Sequence, residues 1–316
     1  MGLKILSASN AYIVTENNPL ERTYIKDFIS YYAANILVDN TNFSGIEIVN
    51  GFLKAITLDD IIVAVTGNVE FKIDNKKAPL WQAIYVPKDS EIEVKSSKES
   101  LGYLVVRGLS TKGFIRKKID NNETLNIKEK FNDDFIKELP ARRIPEYLLK
   151  EYFDNTLRII SHHSNNNKLN MAFKVERKSV DEGILLRVLD GIDGVCKVLY
   201  ERALKFNNAL PGSCIYLNNE NLFITLNHTQ VNGNVIARIH PCDMDKLVNI
   251  HVGDVVRIVS VDLKEYNEIF KHYNNFLSRI RRCIKASVEA LKRGAKLVKV
   301  KLGNKVYELW VEEIQS

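Results

Sequence analysis

Cysteine is scarce in this chain: four in 316 residues, none in a CxxC spacing. Neither a disulfide framework nor a paired-thiol zinc site is written here. Cys196, Cys214, Cys242 and Cys283 are therefore read as free thiols, and those in apolar strand-like surroundings are expected to be buried. Long apolar runs are also missing. Nothing approaches the roughly 18 residues of a membrane-spanning helix, and the first 20 residues lack a signal-peptide pattern, so the expected address is the cytoplasm, with no membrane contact. The six histidines show no HxH or HExxH spacing. His162 and His163 are adjacent and would point to opposite faces of a strand, so they read as a polar hairpin tip and no metal is expected.

What remains is a globular composition, 45% apolar and 27% charged, in a chain long enough for two domains. The net charge of +6 is unevenly spread. Between Ser278 and Lys305 stand ten Lys or Arg and one acid, Glu289, a net of +9, so the rest of the chain sums to −3. A generally basic nucleic-acid surface is not supported.

The clearest passage runs from Asn208 to Val261. Short apolar runs (Cys214–Leu217, Leu222–Leu226, Val235–Ile239, Val255–Val261) alternate with turn signals at Pro211-Gly212, Asn218-Asn219, Asn232-Gly233 and Gly253-Asp254. Such short strands with Gly/Asn/Pro punctuation predict a compact barrel or sandwich. Met244–Ile250 reads as one helical turn before the last strand.

The N-terminal part opens with strands at Leu3–Leu6 and Ala11–Thr15. Apolar spacing at Ile25, Phe28, Ile29, Tyr32 and Ile36 predicts a helix over Tyr24–Leu37. Val38–Gly108 keeps the strand–turn rhythm, with turns at Thr66-Gly67-Asn68 and Asp74–Lys77. An OB-type nucleic-acid barrel would need exposed aromatics along a basic groove. Phe71, Trp81, Tyr85 and Tyr103 lie instead within apolar alternation and are expected to fill the core, so nucleic acid is not an expected partner.

The stretch 126–150, charged and proline-bearing, reads as a linker between an N-terminal barrel (1–125) and a second one (151–277), with a helix over Pro145–Phe153. Leu263–Arg293 is a long helix, started by Asp262 with Glu265 three residues on and stopped by Gly294. Its apolar stripe is expected to pack on the chain's own barrels, with an oligomer contact as the alternative. Residues 278–316 hold its basic end and a hairpin turning at Gly303-Asn304. The fold class is mainly β: two barrel domains, a long C-terminal helix and a terminal hairpin.

Several of these segments resemble one family. Pro211-Gly212-Ser213-Cys214-Ile215, Gln230-Val231-Asn232-Gly233 and Leu247 through Gly253-Asp254-Val255-Val256-Arg257-Ile258 follow one another in order. Gly45–Ile48, Ile62–Asn68, Pro79-Leu80-Trp81 and Leu104–Gly108 add an earlier match. These are similar to the biotin-dependent carboxyltransferase family that includes the C component of 5-oxoprolinase, allophanate hydrolase subunit 2 and the carboxyltransferase region of urea carboxylase. The resemblance implies cyclophilin-like barrels and a small-amide substrate. It also implies a subunit-B-like (allophanate hydrolase subunit 1-like) cyclophilin-fold partner, with a third catalytic component in the 5-oxoprolinase case. ATP would be used by the complex. Biotin would ride only on a separate carrier, since no Met-Lys-Met site follows the C-terminal strands and no cofactor is held covalently.

Retained residues that would line such a site are Glu47, Asn68, Met171, Lys174, Gln230, Asn232 and Gly233, with Gln230 and Asn232 flanking a turn. Catalytic residues are not assignable from spacing. The chain also departs from the family. The family's glycine-rich loop is missing, since the helix-like stretch Tyr24–Leu37 directly follows Ile13–Glu21, and the Ser-Asp-Arg of a second motif is replaced by Lys168-Leu169-Asn170. An Arg fork holds carboxylate or phosphate bidentately and Asn does not. Three readings follow: an active small-amide enzyme subunit, a degenerate non-catalytic scaffold with the same partner, or an unrelated basic-tail binding protein.

Overall fold

The computed structural model describes residues 2–15, 25–111, 116–160, 170–189, 204–218, 221–227, 229–303 and 305–313. The chain divides into two compact units. The first comprises Met1–Ser96, Gly102–Tyr152 and Asn275–Ser316; the second comprises Ser97–Leu101 and Phe153–Asn274. Both are mainly β, and the fold class is the one expected, with one refinement: only one of the two large sheets closes on itself.

The first unit is a curled sheet. β1 (Gly2–Thr15) is one 14-residue strand rather than two, irregular near Ser7 and Asn10, where the pairing to its neighbour slips. A helix, α1 (Phe28–Leu37), precedes β2 (Ser44–Thr57), β3 (Ile61–Gly67), β4 (Glu70–Ile73), β5 (Lys76–Lys77), β6 (Ala83–Val86), β7 (Glu91–Lys95) and β8 (Leu101–Val106). They lie in the order β5-β4-β7-β2-β8-β3-β6, and β1 pairs with β2, β9 (Arg116–Lys118) and β10 (Thr124–Asn126). The β4–β5 hairpin turns on Asp74 and Asn75, both at positive φ, which matches the right-handed strand twist. The core is aliphatic: Ile46, Ile48, Leu53, Val63, Val65 and Val94 among others, with Phe71. Of the four aromatics expected inside, Phe71 and Tyr103 are buried, while Trp81 and Tyr85 are only partly covered.

α1 begins at Phe28 and not at Tyr24, because Asp27 caps it: its carboxylate accepts from the Ser30 backbone N–H at 3.0 Å. After β10 the stretch 126–150 forms α2 (Asp133–Glu138), a 3₁₀ turn (Leu139–Ala141) and the start of α3 (Glu146–Tyr152), all within the first unit.

The second unit is a closed barrel. β11 (Thr156–Ile160), β12 (Asn170–Ser179), β13 (Gly183–Val188), β14 (Leu204–Ala209), β15 (Ser213–Asn218), β16 (Asn221–Thr225), β17 (Thr229–Ile239) and β18 (Val255–Val261) supply its strands. Seven form the ring β11-β18-β12-β13-β16-β15-β17, which β17 closes by pairing back onto β11; β14 adds to the outer edge of β17. β11 and β18 run parallel, the other pairs antiparallel. Leu157, Ile159, Phe173, Val175, Ile184, Ile224, Ile239 and Ile258 meet inside. The Asn232-Gly233 turn expected from composition does not exist: both residues lie within β17, and Gly233 pairs with Phe206. An extended backbone suits Gly and Asn when cross-strand pairing holds them, and tertiary context overrides their turn preference. Asn219, His162, His163, Lys168 and Leu169 lie outside the described residues, as does Cys196.

Met244–Asn249 is a short helix, α4, as expected. α5 (Leu263–Lys292) has the predicted caps at both ends. Asp262 and Glu265 exchange hydrogen bonds (Glu265 N to Asp262 at 2.8 Å, Asp262 N to Glu265 at 3.0 Å). At the other end Ala295 N donates to Ala290 O and Gly294 N to Leu291 O, a Schellman motif with Gly294 at φ 89. Its stripe from Ile269 through Tyr273, Phe276, Leu277, Ile280, Ile284 and Val288 is buried by the chain itself, while Leu263, the first residue of the helix, is exposed. The hairpin of β19 (Lys296–Leu302) and β20 (Lys305–Val311) closes the fold. Arg143 and Arg293 tie it down through Glu308 and Glu312.

Candidate functional site

The first unit carries a buried polar chain. The Asp27 backbone N–H donates to the Tyr103 hydroxyl at 3.2 Å, and that hydroxyl donates to Glu47 Oε1 at 2.8 Å. Glu47 Oε2 pairs with Arg116, whose guanidinium lies 4.1 Å over the Tyr12 ring. Ser30 Oγ donates to Asp27 at 2.6 Å, and Thr66 Oγ1 donates to the Ser30 carbonyl at 2.8 Å. Asp27, Ser30, Glu47, Thr66 and Tyr103 are all at 1% exposure or less. Burial first, then the Glu47 and Asp27 carboxylates, push the Tyr103 phenol well above its ordinary value. A buried carboxylate costs several kcal/mol unless paired and hydrogen-bonded. Both Glu47 oxygens have partners, so the chain works as an internal brace that fixes α1 on β2 and β8.

An open pocket of about 390 Å³ lies in the second unit, where β11, β12 and β18 meet the first three turns of α5. Arg158 and Asn170 pair with the same residue, Val259, from either side of β18. With Val259 in register between them, the two side chains share one face, and both line the pocket. Leu157 and Ile159 face the barrel core, which sends Arg158 outward. Asp243, fully buried, grips Arg158 on two sides: Oδ2 accepts from Nε at 2.7 Å and Oδ1 from Nη2. Lys246 lies 3.3 Å from the same carboxylate. The guanidinium is thus held in one orientation, as a planar fork permits. Ser260, Glu265, Glu268 and His272 complete the polar lining. Side chains able to donate and side chains able to accept thus line one small space, beside the apolar Val259, Val261 and Ile269. Among the described residues no group of three or more metal-ligating side chains forms a metal centre.

The candidates read from sequence fall in separate places. Glu47 is the buried centre of the first unit's brace, and Asn68 is exposed on the bend after β3. In the second unit Met171 packs half-buried against the barrel core, next to the pocket residue Asn170, and Lys174 is exposed further along β12. Gln230, Asn232 and Gly233 lie on β17, which is not a neighbour of β12 in the ring. The retained motif residues do not converge on one site within either unit. Arg158, Glu268 and His272 were not legible as a group, because 114 residues separate the first from the last and only barrel closure and helix packing join them. Asp27 with Ser30 did carry a signal, since their three-residue spacing at a helix start is that of an N-cap.

Residues 26–113 match the family described as "Carboxyltransferase domain, subdomain A and B". The fold is similar to that of K. lactis urea amidolyase (16% identity over 88% of this chain and 20% of that one, TM-score 0.61). It is similar also to Kluyveromyces lactis urea carboxylase (14% identity over 88% of this chain and 29% of that one, TM-score 0.58). The chain thus spans less than a third of the length of either. No curated protein sequence matches it. The family match is confined to residues 26–113, and with the two enzymes this chain shares a fold.

Proposed function

We propose that this chain is one module of a heteromeric, ATP-dependent enzyme that acts on a small amide, in the manner of the C component of 5-oxoprolinase or of the carboxyltransferase region of urea carboxylase. The observation that carries this reading is the second-unit pocket. An amide needs donors for its carbonyl and acceptors for its N–H groups, and Arg158, Asn170 and His272 stand with Ser260 and Glu268 around a volume of about 390 Å³. The carboxyltransferase-domain match over residues 26–113 supports the class. The partner is a subunit-B-like cyclophilin-fold protein, in the cytoplasm, with ATP spent by the complex and biotin confined to a separate carrier. No helix of the described residues is long and apolar enough to cross a membrane.

The test is co-expression with a subunit-B-like protein, followed by ATP-dependent turnover of 5-oxoproline, and of urea with bicarbonate and a biotinylated carrier. Turnover of either is expected, with Glu268→Gln and His272→Ala lowering kcat/KM at least about tenfold, a loss of ~1.4 kcal/mol. A stable complex without turnover favours the scaffold reading, which the Asn170 found in place of the family's Arg also motivates. Absence of any complex sinks both.

A further inference from the structure

We propose that a groove in the first unit binds a small carboxylate with an apolar body, and that Arg143 is its anchor. The groove lies open among β6, the 3₁₀ turn after α2, the end of α5 and the β19–β20 hairpin, with a volume of about 690 Å³. That is the size of a small-molecule site. Tyr85, Leu139, Leu297 and Trp310 form much of its wall, and among the described residues the charged ones lining it are both cationic, Arg143 and Lys296. The nearby carboxylates are already committed: Glu308 to Arg143 and Lys299, Glu138 to Arg142 and Lys292. An apolar wall with positive charge and no lining acid selects a ligand of opposite sign with a hydrophobic body.

Arg143 is built for the role. Its Nη2 donates to Glu308 Oε1 at 2.7 Å, and its Nε, although buried, has no hydrogen-bond partner among the described residues. A guanidinium carries five N–H donors, and among the described residues Glu308 is the side chain that engages those of Arg143; a carboxylate is the ligand that uses the fork best. The backbone beneath it is pinned. Gln82 bridges Arg143, Ala83 N donates to Arg142 O at 2.8 Å, and Ile144 N donates to Trp81 O at 2.9 Å. Those bonds flank Trp81, held at φ 60, a conformation a bulky residue adopts only when its surroundings impose it. Imposed strain of this kind gathers at ligand clamps. The groove belongs wholly to the first unit and stands whether or not the second-unit pocket takes an amide.

The test is isothermal titration calorimetry of the full chain with 4-phenylbutyrate against its neutral amide, 4-phenylbutanamide. The carboxylate is expected to bind, and the amide at least about tenfold more weakly, as loss of a charge-assisted hydrogen bond implies. Arg143→Gln is expected to cause a loss of similar size. Lys285→Gln removes a positive charge from an exposed site outside the groove, and is expected to change nothing. Equal binding of acid and amide, equal binding to Arg143→Gln, or no heat with the acid would overturn the proposal. If circular dichroism shows that Arg143→Gln does not fold, Lys296→Gln and the acid–amide pair decide: unchanged binding in both comparisons overturns it.

Discussion

Tyr103 shows what a single hydroxyl does in an apolar interior. It accepts from the Asp27 backbone and donates to Glu47, so one oxygen joins the cap of α1 to the first half of β2. Tyr103→Phe keeps the ring, and with it the edge contact to Tyr31 at 5.6 Å, but removes the donor to a carboxylate with no exposed surface. Taking away one partner of a buried polar group costs about 1–3 kcal/mol. Urea denaturation should show a lower midpoint of that size with an unchanged m-value. An unchanged midpoint would mean that Glu47 finds another donor at no cost. The same physics separates Glu47 from Asn68: both stand in retained motif segments, yet one is structural by burial and the other sits in solvent on a bend.

At the scale of the element, α5 is the best test of local coding. Asp262, Glu265 and Gly294 were legible as start and stop signals, because capping chemistry is local and each residue acts within four positions of itself. Gly294 is the sharper probe. A Cβ built there would meet nothing within 4 Å, so the cost of Gly294→Ala is backbone conformation alone. The left-handed region costs an L-residue about 1 kcal/mol, and that loss in thermal or urea stability is the expected result. Asp262→Ala should cost a similar amount, about 1 kcal/mol, through the lost cap. Gly294→Ala without effect would show that the Schellman turn rearranges freely.

Other elements were less legible for the same physical reason in reverse. Asn232-Gly233 has the chemistry of a tight turn, and long-range pairing with β14 keeps it extended. The slips in β1 that keep one strand whole depend on its partner β2, distant in sequence, and no local pattern reports them. Arg158 and Asn170 become pocket neighbours only because each pairs with Val259. Strand pairing, rather than composition, decides those sites.

Each unit of the whole molecule hides a weak acid that resists ionisation. In the second, burial pushes the Cys214 thiol up to about 12. In the first, Tyr103 is raised well above its ordinary value by burial and by Glu47 and Asp27. Below pH 9 the cysteine is protonated whether folded or not, and contributes no pH dependence. Above pH 9 the unfolded chain releases that proton while the folded one keeps it, so stability falls as the pH rises toward about 12. Each pH unit across that window removes ~1.4 kcal/mol for one such group. Tyr103 adds a loss of the same sign, beginning near the ordinary tyrosine value of about 10. Urea midpoints measured between about pH 7 and 11 are therefore expected to be flat to about 9 and then to drop. Cys214→Ala separates the titration from simple packing. Loss of the sulfur lowers stability at every pH by a cavity cost, whereas loss of the thiol proton flattens the alkaline slope for the second unit. A variant with the parent's slope would show that alkaline sensitivity comes from groups other than Cys214, and a flattened slope with a lowered baseline would assign each effect to its cause.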